Sequence, residues 1–382
     1  IFYPKIMNKN RKKLRMEQFM EEKRQYQATF GILSALGIFM MVAGHVGYNI
    51  ATVGDLFPYY SFHVALFMFI SGYFYREKEE EHPLLYLKKK AKRLLVPYFI
   101  WNLIYGLLAW GLRTFGGFSL GEGISLRTLF LEPFLNGYQF LYNYAAWFVP
   151  VLFVVEGMNL VMRLLLKKLH LCYEWLILAG SLLVGMLVVW LAIDGHVWGL
   201  YKTPGRILFL YPCFQMGQFY YRKLEQKDTL GNLPYFGILL TIQMILTLCC
   251  NGLAYSTVWC TGFANGPVIP YVTVVTGIAF WLRVAKIMTP VLEKSRAVLY
   301  LGKNTYAVML HHVMAFMLVK VALAVVAAHT SYLADFDWEQ FRGNIDYFYL
   351  LKGAEPFKMV YLAAGIVLPL LLQKGIDWCK RR

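Results

Sequence analysis

Long apolar stretches recur along the whole chain, and short segments rich in polar and charged residues separate them. A helix rises 1.5 Å per residue, so about 20 mostly apolar residues cross the hydrocarbon core of a bilayer. The pattern predicts a series of membrane-spanning helices. They cover residues 28–51, 57–76, 93–113, 144–166, 174–194, 206–222, 234–254, 266–288, 304–328 and 357–377.

The composition places the chain among integral membrane proteins. Hydrophobic residues make up 58% of it and charged residues 16%, against about 25% charged residues in ordinary soluble domains. A soluble fold of this length cannot bury so much apolar surface, and a disordered chain is far more polar. We therefore expect an all-α, polytopic helical bundle. Its basic composition is typical of a multi-pass protein of a bacterial plasma (inner) membrane.

The distribution of positive charge sets the orientation. Cytoplasmic loops of membrane proteins carry an excess of Lys and Arg. With the N-terminus in the cytoplasm, 30 of the 38 Lys and Arg residues lie on cytoplasmic segments. The net charge of +16 therefore needs no nucleic-acid partner. We expect a basic cytoplasmic segment at 1–27, the transmembrane domain at 28–377 and a basic cytoplasmic tail at 378–382.

The cysteines indicate neither a metal site nor a disulfide framework. There are six, and none forms a CxxC pair or a cluster with histidine. Spacings of that kind are what zinc sites and disulfide scaffolds show in a sequence. We therefore interpret these cysteines as small apolar side chains of the bundle.

Two histidines are predicted at similar depth in neighbouring helices. His45 lies about 25 Å along the first helix, and His63 lies about 9 Å from the outer end of the second. A neutral imidazole is a good general base near neutral pH. The alternative interpretation is a buried histidine that only hydrogen-bonds to a neighbouring helix. For a single histidine inside a membrane the two interpretations are equally open, and the occurrence of two at one depth favours a site.

Of the other ionisable residues inside the predicted helices, three are further candidates for a site. Glu156 either orients or charge-balances a histidine, or is a neutral, hydrogen-bonded structural group, and the sequence leaves both open. His311 and His312 are adjacent on the ninth helix. Neighbouring helical residues point about 100° apart, so we expect at most one of them to face a given site.

A basic cluster precedes the third helix. Ammonium and guanidinium groups are natural partners for phosphate, so this cluster is a candidate site for a nucleotide-bearing donor such as coenzyme A. The alternative is topogenic or lipid-facing charge. Arg93 is the strongest candidate because it leads directly into the apolar helix. The cluster consists of Lys88, Lys89, Lys90, Lys92 and Arg93.

Two outer segments, 114–143 and 329–356, are long enough to fold over the membrane. Both are rich in aromatic residues, which suit sugar stacking and equally suit an interfacial aromatic belt. The composition alone favours the belt. The second segment also contains carboxylates: Asp335, Asp337, Glu339, Asp346 and Glu355.

Six segments, taken in order, resemble motifs of the acyltransferase-3 family of integral membrane acyltransferases, which includes fucose acetylase-like and cell-surface O-acetylating members. The resemblance extends from residue 31 to about residue 320, over most of the ten predicted helices. The segments are LGIFMMVAGH, FHVALFMFISGYFYR, KRLLVPYFIWNLIY, AAWFVPVLF, RILFLYPCFQMGQFYY and LGKNTYAVMLHHV.

The resemblance implies acyl transfer, most often of acetyl, from cytoplasmic acetyl-CoA or another acyl-CoA to a hydroxyl of a carbohydrate or glycolipid. His45 matches the family's essential histidine, which implies a general base. His312 matches the histidine that closes the ninth-helix motif. His63 and Arg206 are candidates for stabilising the oxyanion. The expected partners are the acyl-CoA, the acceptor and membrane lipids.

Four residues are expected to contact the donor: Ser34, Ser71, Lys92 and Arg93. Ser71, with Gly72, and Arg93 match family motifs. Ser34 departs from the family, because many members have Arg or Lys at this position, eleven residues before the helix-1 histidine. Whatever that cation does for the donor is then done otherwise here, or the donor differs.

Two other function classes stay open at this point. One is a transporter or flippase of a glycolipid or polysaccharide precursor, with the intramembrane His and Glu residues as a proton relay. The absence of an internal repeat disfavours it. The other is a catalytically decayed membrane sensor, which Ser34 suggests. Consumption of a thioester distinguishes the enzyme from both.

Overall fold

The computed structural model describes residues 27–47 and 56–381, and within them the chain is helical with no β-strand. We number the long helices of this described part α1 to α10. They are α1 (Gln27–His45), α2 (His63–Phe74), α3 (Pro83–Gly116), α4 (Phe148–Lys168), α5 (Glu174–Ile193), α6 (Lys202–Phe219), α7 (Asn232–Cys249), α8 (Ile269–Leu292), α9 (Thr305–His329) and α10 (Lys358–Cys379).

Each predicted apolar stretch coincides with one of these helices, so the polytopic all-α fold is confirmed. Eight of the helices are long and apolar enough to cross a membrane; α2 and α6 are not among them. The predicted basic segment 1–27 lies almost entirely outside the described residues, as do 48–51 of the first predicted helix. We call the side at which α1 ends the outer side, in keeping with the orientation predicted from charge.

The third helix begins ten residues earlier than predicted. It starts at Pro83, which occupies the first turn, and runs for 34 residues. Proline is well tolerated there because its missing N–H has no partner in the first turn. Lys and Arg are good helix formers, so the helix continues beyond the apolar stretch. The basic cluster therefore lies on the inner end of α3 and not in a loop.

The short helices α2 and α6 cross in direct backbone contact. A Cβ atom at Gly72 would collide with the carbonyl oxygen of Phe214, and one at Gly217 would collide with the carbonyl oxygen of Phe69. Small residues allow such close approach between membrane helices. This contact holds α2, which carries His63 at its outer end, against the centre of the bundle.

Three outer connections fold over the bundle: residues 117–143, 250–268 and 330–357. The first and third pack against each other, because the backbone N–H of Ser119 donates to the carbonyl oxygen of Arg342 at 3.1 Å. These connections cover the end of the bundle at which α1 ends. They form the walls of the site described next.

Candidate functional site

Two histidines from distant parts of the chain form a hydrogen-bonded pair at the outer end of α1. Nδ1 of His45 lies 2.7 Å from Nε2 of His312. The imidazole rings are nearly parallel, with an interplanar angle of 4° and centroids 4.8 Å apart. His312 is fully buried, whereas His45 is partly exposed. The pair therefore has one inner and one accessible member.

The partners of His312 assign the protons of the pair. Its Nδ1 lies 3.0 Å from the carbonyl oxygen of Val308 and 3.1 Å from that of Met309, so Nδ1 carries the hydrogen and donates it. In a neutral imidazole the other nitrogen is an acceptor. Nε2 of His312 then accepts from the Nδ1–H of His45. Nε2 of His45 is left with a free lone pair, as a general base requires.

His45 lines a cavity of about 420 Å³ that opens toward the outer side. This volume lies in the range of small-ligand sites, which are about 300–1,000 Å³. The wall is largely aromatic, with a few polar groups. Its side chains include those of Tyr60, Tyr138, Tyr144, Ser256, Trp259, Asp346 and Phe348.

The aromatic side chains form a continuous series that starts at the histidine. Tyr144 packs edge-on against His45, with centroids 5.5 Å apart. Tyr138 stacks on Tyr144 at 5.1 Å, and Trp259 lies 4.8 Å from Tyr138. Tyr138 lies on the first of the two outer segments, and it lines the cavity, which is the placement that the sugar-stacking interpretation expects. A ladder of this kind suits stacking against the apolar faces of sugar rings.

His63 has a structural contact and does not hydrogen-bond to His45. Its Nδ1 donates to the carbonyl oxygen of Tyr59 at 2.6 Å, and its ring packs edge-on against Tyr60. It lies within electrostatic range of His45. His63 thus fixes the turn that carries Tyr60, one of the cavity walls.

His311 faces away from the pair, in agreement with the angle expected between adjacent helical residues. Its Nδ1 lies 2.8 Å from the hydroxyl of Tyr105, and its ring packs edge-on against Trp101 at 4.2 Å. Both partners are on α3. Of the two adjacent histidines, His312 alone is brought to His45.

Glu156 pairs with a lysine of the basic cluster. Its carboxylate, only 2% exposed, accepts a hydrogen bond from Lys90 Nζ at 2.6 Å. A buried carboxylate of this kind requires a partner. Among the described contacts of Glu156, none joins it to a histidine, so the structure does not place it in the His45 pair. It ties the inner end of α3 to α4.

The four expected donor contacts lie apart from the histidine pair. Lys92 and Arg93 are exposed on the inner end of α3. Ser34 is buried in α1, where its hydroxyl donates to the carbonyl oxygen of Phe30 at 2.7 Å. Ser71 is half-buried beside the α2–α6 crossing. Eleven residues, or about 16 Å of helix, separate Ser34 from His45.

Arg206 is not among the described residues that line the cavity, and it binds the backbone of two outer connections. Its guanidinium donates to the carbonyl oxygens of Val258 at 2.7 Å and Asn136 at 2.8 Å. The ammonium of Lys202 lies 3.9 Å from the ring centroid of Trp259. The two cations hold the loops that carry the aromatic ladder.

Sequence reasoning missed Trp259 as a candidate and gave Asp346 no specific role. Both lie on connections rather than helices, and both line the cavity. The only sequence feature that could have suggested them is an aromatic or acidic residue on a connection at the same side of the membrane as His45. Among the described residues, no group of three His, Cys, Asp or Glu side chains is placed to hold a metal ion.

Comparison with known proteins gives one result. A family model described as an acyltransferase domain matches residues 32–331, more than half of the chain. The matched range contains both members of the histidine pair. No curated protein and no solved structure matches the chain.

Proposed function

This chain belongs to the acyltransferase-3 family, and from that premise we propose that it is a membrane O-acyltransferase. It moves an acyl group, acetyl in the first instance, from cytoplasmic acyl-CoA to a hydroxyl of a cell-surface or secreted glycan. The site lies in a multi-pass protein of the bacterial plasma membrane. The product is an O-acetylated polysaccharide or glycolipid of the cell envelope.

The observation that carries this proposal is the histidine pair at the floor of the outer cavity. His312 accepts from Nδ1 of His45, which leaves Nε2 of His45 as a base beside 420 Å³ of space. Because His312 is itself fixed by two backbone carbonyls, the tautomer of His45 is set before the acceptor binds. A preset base avoids reorganisation during proton transfer.

The chemistry follows from that arrangement. Nε2 of His45 takes the proton of the acceptor hydroxyl, and the oxygen attacks the carbonyl carbon of the thioester. The tetrahedral intermediate collapses as the carbon–sulfur bond breaks. The proton passes from His45 to the leaving thiolate, so the products are an acyl ester and free coenzyme A. His312 holds the orientation of His45 throughout.

Tyr60 supplies an O–H donor at the cavity wall. Burial, followed by the nearby Asp346 carboxylate, raises the pKa of Tyr60 to about 12. The hydroxyl therefore stays protonated at neutral pH. A donor of this kind is suited to a sugar oxygen or to the developing oxyanion.

The donor approaches from the inner side. Lys92 and Arg93 are exposed on the basic end of α3, where they can contact the phosphates of coenzyme A. Ser34 and Ser71 line the route that we propose for the pantetheine arm. Since the hydroxyl of Ser34 is already bonded within α1, we assign it a packing role beside the donor and no charge-binding role.

The test is transfer of labelled acetyl from acetyl-CoA to glycan by the full chain in proteoliposomes. His45→Ala removes the base and is expected to lower transfer by about 10²–10⁴-fold, the usual contribution of general base catalysis. His329→Ala is the matched control, because His329 is exposed at the outer end of α9. Equal transfer by wild type and His45→Ala would remove His45 from the mechanism. Absence of thioester consumption by wild type would favour the transporter or sensor interpretations.

A further inference from the structure

A buried lysine lies behind one wall of the cavity. Lys320, on α9, is 1% exposed. It is eight residues beyond His312, or about 12 Å farther toward the outer side. A charged side chain inside a membrane costs free energy, so it is a candidate for a specific structural or functional role. The contacts of this lysine show what it does.

Lys320 holds the segment that forms the wall. Its Nζ donates to the carbonyl oxygen of Ile345 at 2.7 Å and lies 5.5 Å from the ring centroid of Phe348. The same segment is fixed from the other side, because the hydroxyl of Tyr361 donates to the carbonyl oxygen of Tyr349 at 3.0 Å. The backbone on both sides of Asp346 is therefore anchored to helices.

Asp346 and the catalytic base share one neighbour. The hydroxyl of Tyr144 lies 3.4 Å from Oδ1 of Asp346, while the ring of Tyr144 packs against His45. The carboxylate is exposed to the cavity. Among the ion pairs of the described residues, none involves Asp346. Oδ1 of Asp346 accepts the hydrogen bond from Tyr144, and the exposed carboxylate has further acceptor capacity for a ligand.

A carboxylate that faces a cavity beside an aromatic ladder selects its ligand by charge and by hydrogen bonding. Ionised Asp has only acceptor oxygens, so it binds O–H or N–H groups. It repels a second anion across a shared cavity. Asp346 also lies beyond the residues that the family model matches, which end at 331. A position outside the shared region is where acceptor preference, rather than common chemistry, is expected to lie.

We propose that Asp346 is the specificity-determining residue for the acceptor: it binds a second hydroxyl of a polyhydroxyl acceptor while His45 takes the proton of the first, and it excludes acceptors with an anionic group at that position. Lys320 is the positioning residue that holds Asp346 in place. This inference rests on the proposed function, since it names the acceptor class of the same site.

The first experiment measures binding without turnover. Saturation-transfer NMR on the full chain in nanodiscs gives dissociation constants for methyl glucoside, methyl glucosaminide and methyl glucuronide, which are neutral, cationic and anionic probes. Wild type is expected to bind the glucuronide about tenfold more weakly than the glucoside, which corresponds to about 1.4 kcal/mol. In Asp346→Asn the two constants are expected to agree within about twofold. Equal binding of all three probes by wild type, or unchanged discrimination in Asp346→Asn, would overturn the inference.

The second experiment separates positioning from general folding. Lys320→Met keeps most of the length of the side chain and removes the donor. It is expected to weaken glucoside binding about five- to tenfold, less than the full value of a charge-assisted hydrogen bond, because the lost bond acts on the ligand only through the position of Asp346. Lys320→Arg restores a donor and is expected to restore binding. Lys352→Met is the control, because Lys352 is exposed on the same outer connection. Unchanged binding in Lys320→Met would refute the positioning role.

Failure of the inference and failure of the proposed function give different results. The probe-binding measurement requires no acyl donor, so it decides the role of Asp346 even where acetyl-CoA is not consumed. Loss of the proposed function would appear as wild-type protein that binds the glucoside but transfers no acyl group. Failure of the inference would appear as wild-type protein that transfers acyl groups without discriminating between the three probes.

Discussion

His312 offers the sharpest test of the hydrogen-bonded pair. It is fully buried and its Nε2 lies 2.7 Å from Nδ1 of His45. Substitution by leucine keeps an apolar side chain of similar size and removes the acceptor. The Nδ1–H of His45 is then left without its partner, and the imidazole is free to take the other tautomer. Substitution by glutamine keeps a side-chain carbonyl that can accept the same hydrogen.

The size of the effect follows from the hydrogen bond. Leaving one buried donor unsatisfied costs about 1–3 kcal/mol. If that penalty appears in the transition state, where the developing imidazolium most needs its partner, the rate falls by about 5–150-fold. We therefore expect His312→Leu to lower kcat by one to two orders of magnitude. His312→Gln is expected to retain kcat within about tenfold of wild type.

The assay is steady-state acetyl transfer by purified protein in nanodiscs, with KM determined separately for donor and acceptor. Because His312 is buried behind His45, both KM values are expected to stay close to those of wild type. His311→Leu is the control, since its ring contacts α3 and not the pair. Wild-type kcat in His312→Leu, or equal losses in the leucine and glutamine variants, would refute the reasoning.

Two further predictions concern the scaffold. Gly72→Ala places a methyl group against the backbone of Phe214 and is expected to destabilise the bundle by about 1–3 kcal/mol. Gly111→Ala, where a methyl group inside helix α3 meets open space, is expected to be neutral to slightly stabilising in the same thermal melts. At the inner surface, burial opposes ionisation of Asp228, but its hydrogen bond with Lys286 holds the pKa of Asp228 below its ordinary value. The pair therefore stabilises the fold above pH about 4 and loses this contribution as the pH falls toward the pKa of Asp228 in the folded protein. In thermal melts between pH 3 and 7, Asp228→Asn is expected to lose this part of the pH dependence of stability. A variant with the same pH profile as wild type would contradict the prediction.

The helices and the proposed base, His45, could be predicted from the sequence, because each is recognised from a short stretch of neighbouring residues. The apolar stretches predicted every long helix of the described part. His45 stood out as an ionisable residue near the outer end of the first of them. The ends of α3 were harder to predict, because hydropathy shows which residues lie in the membrane and does not show where the helix ends. This helix extends beyond the apolar stretch, through the lysines, to Pro83.

The hydrogen-bond partner of His45 could not be predicted in the same way. Depth along a helix follows from residue counting, and it placed His63 level with His45. The direction that each side chain faces depends on how the helices rotate and pack, and packing gave the hydrogen bond to His312 instead. The cavity walls are harder still, since Trp259 and Asp346 come from separate connections that meet only in the folded bundle.

The sidedness of acyl transfer tests the central claim most directly. Sealed inside-out vesicles expose the cytoplasmic face, so labelled acetyl-CoA is supplied outside and glycan acceptor is enclosed within. We expect labelled glycan in the lumen with wild type, and a loss of label by about 10²–10⁴-fold with His45→Ala at matched protein levels. Label that appears only when donor and acceptor share the same side, or that is equal in both proteins, would contradict a transfer site at His45 reached from opposite faces of the membrane.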